Sequence, residues 1–301
     1  MKVALLANPA ARAGAQAGAA MRAAERLRAQ GVQTAIVSGG SAAESSSLLR
    51  TAIDVGVDAV AVAGGDGTVH LALQQLAGTG IPLGIIPVGT GNDFAATLGL
   101  RELDVAAAAD TIAGGVTRRV DLARVTRADG TVAYFGSVLA SGFDSKVNDR
   151  ANAMRWPRGG SRYNIAILRE FLTLRGIPYE IDLELADGTS ERFAGDLVMA
   201  TVGNGRTYGG GIPICPGADP ADGLLDVVTV QPAGRLRLLR LLPRVYRGTH
   251  ASVPEVTMRQ ARSVGLSAPG VTAYADGDPI GVLPLRIDVA RGALTVFSPQ
   301  P

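Results

Sequence analysis

Residues 61 to 70 read Ala61-Val-Ala-Gly-Gly-Asp-Gly-Thr-Val-His70. An apolar run over 58–63 enters three glycines and one carboxylate, and a helical pattern begins at once behind them. Without a Cβ, glycine lets the backbone turn sharply and bring its N–H groups close to a ligand. A phosphate at such a corner meets unpaired amides and the positive end of a helix. The carboxylate of Asp66 would repel that phosphate unless a divalent cation sits between them. A strand, loop and helix assembled in this way predict a nucleotide phosphate site.

Outward from this corner, strand and helix patterns alternate. Strands are expected at 2–7, 33–38, 58–63 and 82–86, with helices at about 15–30, 41–55 and 67–77. The second helix opens with Ser41-Ala-Ala-Glu44, which has capping-box spacing. Continuous apolar strands point to a parallel sheet covered on both faces. Residues 1–123 therefore read as a doubly wound α/β domain. Ligands of such sheets bind beyond the carboxyl ends of the strands. Asn8-Pro9, Ser38, Gly64–Thr68 and Pro87–Asp93 all fall at those ends. The last is a second glycine-rich loop, Pro87-Val-Gly-Thr-Gly-Asn-Asp-Phe-Ala95. Gly89 and Gly91 permit close backbone approach, Thr90 offers a hydroxyl, and Asn92 or Asp93 is expected to cap a short helix.

After about residue 123 strands dominate. They are expected at 131–140, 178–186, 191–202, 224–230, 255–259, 262–267, 271–275, 284–289 and 293–298. Asp187-Gly188 is a hairpin signal. Residues 124–301 read as an antiparallel β-sandwich domain with helical insertions near 144–153, 161–175 and 234–247. The last residues are free to return to the first domain. The active site is expected in the cleft between the two.

Composition narrows the partners. The 301-residue chain is 47% hydrophobic with a net charge of +2, so a large core is available and nucleic acid is not an expected partner. A single cysteine, Cys215, excludes an internal disulfide framework and fits a reducing cytosol. No apolar run reaches transmembrane length, and the N-terminal Val3–Ala7 run is too short for a secretory core. A cytoplasmic protein is expected, with peripheral contact at the inner face of the membrane and a homodimer both left open. The chain has neither a P-loop nor the protein-kinase signature set.

Gly64-Gly-Asp-Gly-Thr68, followed some twenty residues later by Pro87-x-Gly-Thr-Gly-Asn-Asp-Phe-Ala95, resembles the diacylglycerol kinase catalytic domain. Bacterial soluble lipid kinases and sphingosine kinases share that domain. Asn8-Pro9, Ser38, Gly142-Phe143, Gly203-Asn204, Gly209–Gly211, Pro216, Asp222–Asp226 and Asp276-Gly277-Asp278 match in order, so the resemblance runs nearly the whole length. Two departures stand out. The glycine usual after Asn-Pro is displaced to Gly14, and Asp278 replaces the more usual Glu. The resemblance implies an N-terminal NAD kinase/phosphofructokinase-like domain that binds ATP. Asn8, Pro9, Ser38, Gly64, Gly65, Asp66, Gly67, Thr68, Gly89, Thr90, Gly91 and Asn92 would hold the nucleotide. Asp66 and Asp93 would hold or orient Mg²⁺. Asp278 would be general base on a lipid hydroxyl, with Asp276 the fallback. In related bacterial enzymes the loop matching 219–224 carries a structural cation, here through Asp219, Asp222 and Leu224; an unmetallated turn is the alternative.

The expected activity is an ATP-dependent lipid kinase, with diacylglycerol the favoured acceptor. The alternatives are a soluble-metabolite kinase, since NAD kinases use a similar glycine loop, and a non-catalytic nucleotide-binding regulator. Residues 235–247 alternate arginine and leucine at helical spacing. They suit a helix on an anionic bilayer or an amphipathic helix packed on the second domain with a solvated basic face. Arg155-Trp156-Pro157-Arg158 reads as an interface contact or as a surface loop with one buried ring. His70, His250 and Cys215 read as structural.

Overall fold

Alternation along the first strand sets the layers. The computed structural model describes residues 1–7, 15–154, 156 and 160–299. Its first part runs β1 (Lys2–Ala7), α1 (Ala15–Ala29), β2 (Gln33–Val37), α2 (Ala42–Val55), β3 (Ala59–Gly64), α3 (Asp66–Leu76), β4 (Leu83–Pro87), α4 (Asp93–Thr97) and α5 (Val105–Ala113). In β1, Val3 and Leu5 pack with Ala20, Ala24 and Leu27 of α1 and with Ile112 of α5. Ala4 and Leu6 face the other way, toward Leu49 of α2 and Leu73 and Leu76 of α3. Successive strand residues point to opposite faces, so one parallel sheet is buried on both. The strands are parallel, as the apolar runs predict, and their order is β2-β1-β3-β4.

The rest is β5 (Thr117–Arg127), β6 (Val132–Phe135), β7 (Val138–Gly142), α6 (Phe143–Ala153), α7 (Gly160–Leu172), β8 (Ile177–Leu185), β9 (Ser190–Leu197), β10 (Met199–Gly203), β11 (Leu225–Val230), α8 (Arg235–Tyr246), β12 (Val256–Ser267), β13 (Thr272–Ala275), β14 (Asp278–Val282) and β15 (Leu285–Phe297). The first half of β12 pairs with β11; after a register shift between Ala261 and Ser263 its second half pairs with β8 and β15. The strand thereby passes between the two layers of a sandwich, whose interior holds Phe135, Tyr179, Ile181, Val227 and Ile287. β15 pairs along most of its length with β5, shifts register between Ala290 and Leu294, then pairs in parallel with β4 at Val296↔Leu83. Both halves thus hang on one continuous sheet.

The expected segments at 255–259 and 262–267 are one strand, as are 284–289 and 293–298. The irregularities that interrupt their patterning are bulges, which bend a strand without ending it. Conversely, 131–140 is divided at Gly136-Ser137 and 191–202 at Val198. Neither β5 nor α5 is foreseen. In β5, four arginines and Asp121 disguise the alternation.

Asp121 is the buried exception in that strand. Its Oδ2 accepts from Gly223 N at 2.8 Å and its Oδ1 from Gly292 N at 2.6 Å. Gly292 sits at φ 54°, in the bulge of β15. One carboxylate therefore fixes both the 219–224 turn and the strand that joins the two halves. Asp121→Ala should leave one buried and one half-buried N–H group unpaired and cost about 2–4 kcal/mol in urea unfolding, with Asp121→Asn milder. A variant as stable as the parent would contradict this account.

Candidate active site

The two glycine loops touch backbone to backbone. A Cβ built on Gly89 would lie 2.3 Å from Gly65 Cα, so neither side tolerates a side chain there. Asn92, at φ 56°, does not cap α4 with its side chain. Its amide instead closes its own loop, accepting from Gly89 N at 3.0 Å and donating to Gly89 O at 2.9 Å. The cap comes from the other loop. Asp66 Oδ1 accepts from Asp93 N at 2.7 Å and Phe94 N at 3.3 Å. The expectation that Asn92 or Asp93 caps this helix is therefore corrected, because a carboxylate distant in sequence already satisfies those amides. Burial, then the charge of Asp93, push the Asp66 carboxyl up to about 6.

The acidic hairpin arrives from the sandwich side. Asp276 and Gly277 both have positive φ, at 52° and 92°, the pattern of a two-residue type I′ turn. The turn pairs Ala275 with Asp278 and places Asp278 at the head of β14. Asp276 is held at both carboxylate oxygens. Its oxygens accept from Ser137 N and Gly136 N, each at 2.9 Å, and its side chain is only 4% exposed. His70 Nδ1 lies 3.3 Å from Asp276 Oδ2. Burial alone would lower the His70 pKa, but the bond to Asp276 and the nearby charges outweigh it and raise it overall. Burial raises Asp278, His70 pulls it down, and Asp276 pushes it up again, leaving it above the usual carboxylate range. The reading of His70 as merely structural misses its place beside the acidic hairpin. The signal was its position two residues after Thr68 on the first turns of α3.

A cavity of about 630 Å³ lies between these parts. It brings together Gly65, Asp66, Gly67, Thr68, Gly89, Thr90 and Asp278. A Cβ built on Gly67 would sit 3.7 Å from Asp278 Oδ2. His70, Ala42, Ser45 and Ser46 also line it, and the α2 residues were not anticipated. The capping box at Ser41 was their signal, since it set a helix N-terminus at the same sheet edge. Ser38, Gly64, Gly91, Asn92, Asp93 and Asp276 do not line the cavity; they support its walls or stand beside them. Asn8 and Pro9 lie outside the described residues.

The donors fit a hard cation at the phosphate end. Asp93 Oδ2 accepts from Gly210 N at 2.8 Å, but Asp93 Oδ1 is buried with no hydrogen-bond partner. Asp66 Oδ2 and Asp93 Oδ2 both flank Gly91, 2.5 and 3.5 Å from a Cβ built there. Two carboxylates flanking one glycine suit a hard cation such as Mg²⁺. The 219–224 turn offers less. Asp219 Oδ1 accepts from Ala221 N and Asp222 Oδ1 from Leu224 N. Among the described residues no three His, Cys, Asp or Glu side chains are grouped to hold a metal.

A second, apolar groove of about 300 Å³ opens between α7 and α8. Phe143, Phe171, Leu238 and Leu241 line it, and Asp144 with Tyr208 form its polar spot, the phenol donating to Asp144 Oδ2 at 2.7 Å. α8 packs through Leu238 and Leu241 while its arginines stay exposed. Trp156 is 82% exposed, so the buried-ring reading of that segment is corrected; Arg155, Pro157 and Arg158 lie outside the described residues. Cys215 is buried with its thiol pushed well up by desolvation, as suits a core residue.

Comparison with known proteins agrees with this geometry. Residues 2–125 match the family model described as diacylglycerol kinase catalytic domain, and 137–298 match the YegS C-terminal NAD kinase beta sandwich-like domain. A diacylglycerol kinase of Mycobacterium tuberculosis (strain ATCC 25618 / H37Rv) is 48% identical over 299 residues, 99% of this chain and 96% of its relative. A Stenotrophomonas maltophilia (strain K279a) protein named "Probable lipid kinase YegS-like" is 31% identical over 90% of this chain and 89% of its own. The crystal structure of a diacylglycerol kinase from Bacillus anthracis str. Sterne superposes with a TM-score of 0.72 at 23% identity, covering 99% of this chain and 97% of that one, which speaks to the fold.

The groove carboxylate makes stability depend on pH. Burial pushes Asp144 up to about 6, against a smaller opposing effect of the Tyr208 bond. The folded state then holds more protons than the unfolded one between about pH 4 and 6. The cost of a desolvated charge is absent below pH 4, develops through that window and is complete above it. Asp144→Asn, which keeps an acceptor for Tyr208, should therefore gain stability relative to the parent as pH rises from 4 to 7.5. Parallel urea curves at several pH values measure this; a stability difference independent of pH would refute the shift.

Proposed function

This chain belongs to the diacylglycerol kinase family, and from that premise we propose that it transfers the γ-phosphate of ATP to the hydroxyl of a lipid, with diacylglycerol the acceptor. The observation that carries the reading is the placement of Asp278. A carboxylate from the sandwich side faces the two glycine loops of the parallel sheet across one cavity. We assign nucleotide binding to residues 1–123 and acceptor binding to 124–301, with the acyl chains in the groove between α7 and α8. That groove is the feature a soluble-metabolite kinase would not need.

In this mechanism the amides around Gly65–Thr68 and Gly89–Thr90 hold the phosphates, with the N-terminus of α3 adding its dipole. Asp66 and Asp93 would hold Mg²⁺, which would supply charge neutralisation at the phosphates. Asp278 accepts the proton of the attacking hydroxyl. Most of the rate in phosphoryl transfer comes from positioning and charge stabilisation, so a moderately raised carboxylate suffices as base. Asp276 and His70 hold it in place. Asp is one methylene shorter than Glu, and the tight I′ hairpin brings it to the loops.

Incubation with labelled ATP, Mg²⁺ and dispersed diacylglycerol should put label in the organic phase, and EDTA should abolish it. Label confined to water-soluble product would favour a metabolite kinase; nucleotide binding without transfer would favour a regulator. Asp278→Asn should bind ATP within about two-fold of the parent and lose about 10²- to 10⁴-fold in kcat. Full activity in that variant would remove Asp278 from the mechanism.

A further inference from the structure

His70 has no counterpart in the cavity it lines. Among the described residues around that cavity there is no Lys or Arg, so His70 is the one side chain there that can carry a positive charge. Asp66 and Asp278 line the same space, and Asp93 and Asp276 are close enough to act on Asp66 through their charge. Four carboxylates in one region repel one another and any phosphate that enters, so a cation among them is favoured. The ring is also fixed in orientation. Its Nδ1 lies 3.3 Å from Asp276 Oδ2, which accepts from Gly136 N as well. An ionised carboxylate only accepts, so Nδ1 carries a hydrogen.

The other ring nitrogen is open to a second proton. His70 Nε2 lies 3.4 Å from Gln74 Nε2. That amide has two protons and both are engaged, on Tyr134 O at 2.7 Å and His70 O at 3.1 Å. Nor can the amide be turned over, because its oxygen accepts from Tyr134 N at 2.9 Å. Gln74 therefore does not donate to His70 Nε2. The ionisable groups facing the ring are Asp276 and Asp278, from the β13–β14 turn. Asp66, one turn back on α3, is directed at the amides of Asp93 and Phe94. From β6 comes the Tyr134 carbonyl, through Gln74, and from α2 the uncharged Ser45 and Ser46 reach the cavity. Burial alone opposes the second proton; every charge that meets the imidazole is negative and favours it.

We infer that His70 works as an imidazolium, a positioning residue whose charge keeps Asp278 ionised as the base while its Nδ1–H steadies Asp276. The role of Asp278 as base rests on the proposed function; the coupling of His70 to the two carboxylates does not. Asp278 must be ionised to take a proton, so kcat rises with pH through its titration. His70 must be charged, so kcat falls again as the imidazolium loses its proton. His70→Asn separates charge from position, since its amide nitrogen stands in for Nδ1 and is neutral at every pH. That variant should lose the alkaline limb of the kcat profile, move the acid limb to higher pH and fall about five- to ten-fold in kcat at pH 6. The coupling is also read without turnover. The chain has two histidines, and His250 is fully buried with Nε2 2.9 Å from Ile214 O. Imidazole NMR of the nucleotide-free, full-length protein therefore resolves His70, with His70→Asn assigning its signals. Its titration should lie above the ordinary histidine range, and Asp278→Asn should lower the midpoint. A midpoint at or below that range, a midpoint unmoved by Asp278→Asn, or a His70→Asn profile shaped like the parent's would overturn the imidazolium. Intact NMR coupling in a protein that transfers no phosphoryl group to lipid would sink the kinase reading and leave the imidazolium standing.

Discussion

The site depends on what holds Asp276 still. Its two oxygens take the amides of Gly136 and Ser137, and His70 from α3 lies against one of them. Asn204, fully buried, grips the same corner, donating to Gly136 O and to Asp121 O while its own N donates to Ser137 O. The hairpin carrying Asp278 is thereby fixed to a strand corner on one side and to α3 on the other. Charge-assisted hydrogen bonds of this kind are short and directional, so an aspartate held at both oxygens transmits position better than an apolar contact would.

Four carboxylates crowd this region, and their surroundings divide the labour. Asp276 is spent on backbone amides. Asp66 spends one oxygen on the N-terminus of α4, and burial with its neighbour Asp93 drives its pKa toward 6. Asp93 keeps one buried oxygen without a partner. Such an arrangement is costly without a cation and is relieved by one. Asp278 faces open cavity, close enough to His70 to feel its charge. Separation of roles among like residues follows from which oxygens are already satisfied.

Much of this was legible in the chain. The β-α-β-α order, the two glycine loops and the acidic turn after Ala275 were all readable, because each rests on local grammar: apolar runs, glycine where the backbone must turn, Asp-Gly at a strand end; that the turn opens a hairpin onto β14 was not foreseen. What escaped depends on long-range packing. β5 was hidden because its arginines point outward and its one buried charge, Asp121, serves glycines some hundred and more residues away. Ser45 and Ser46 reach the cavity only because α2 starts at the same sheet edge as the glycine loops. The capping of α4 by Asp66 could not be read, since no local pattern announces a cap borrowed from another loop. His70 looked inert until the hairpin around Asp276 was placed beside it.

The apolar groove and the cavity at the glycine loops are joined by residues 208–212. Tyr208 bonds Asp144 in the groove, and two residues later Gly210 N bonds Asp93 beside the second glycine loop. Between them Gly209, Gly210 and Gly211 hold φ of 60°, 86° and 113° in succession, a path that residues with side chains follow only under strain. Arg101 pins the far side, donating to Gly210 O at 3.1 Å. Both ends of this segment carry a carboxylate bond, and the peptide between them has little room to move independently. A displacement of Tyr208 would therefore pull on Asp93. Glycine at three adjacent positions thus follows from the need to pass a rigid connection between two sites in the shortest possible length of chain.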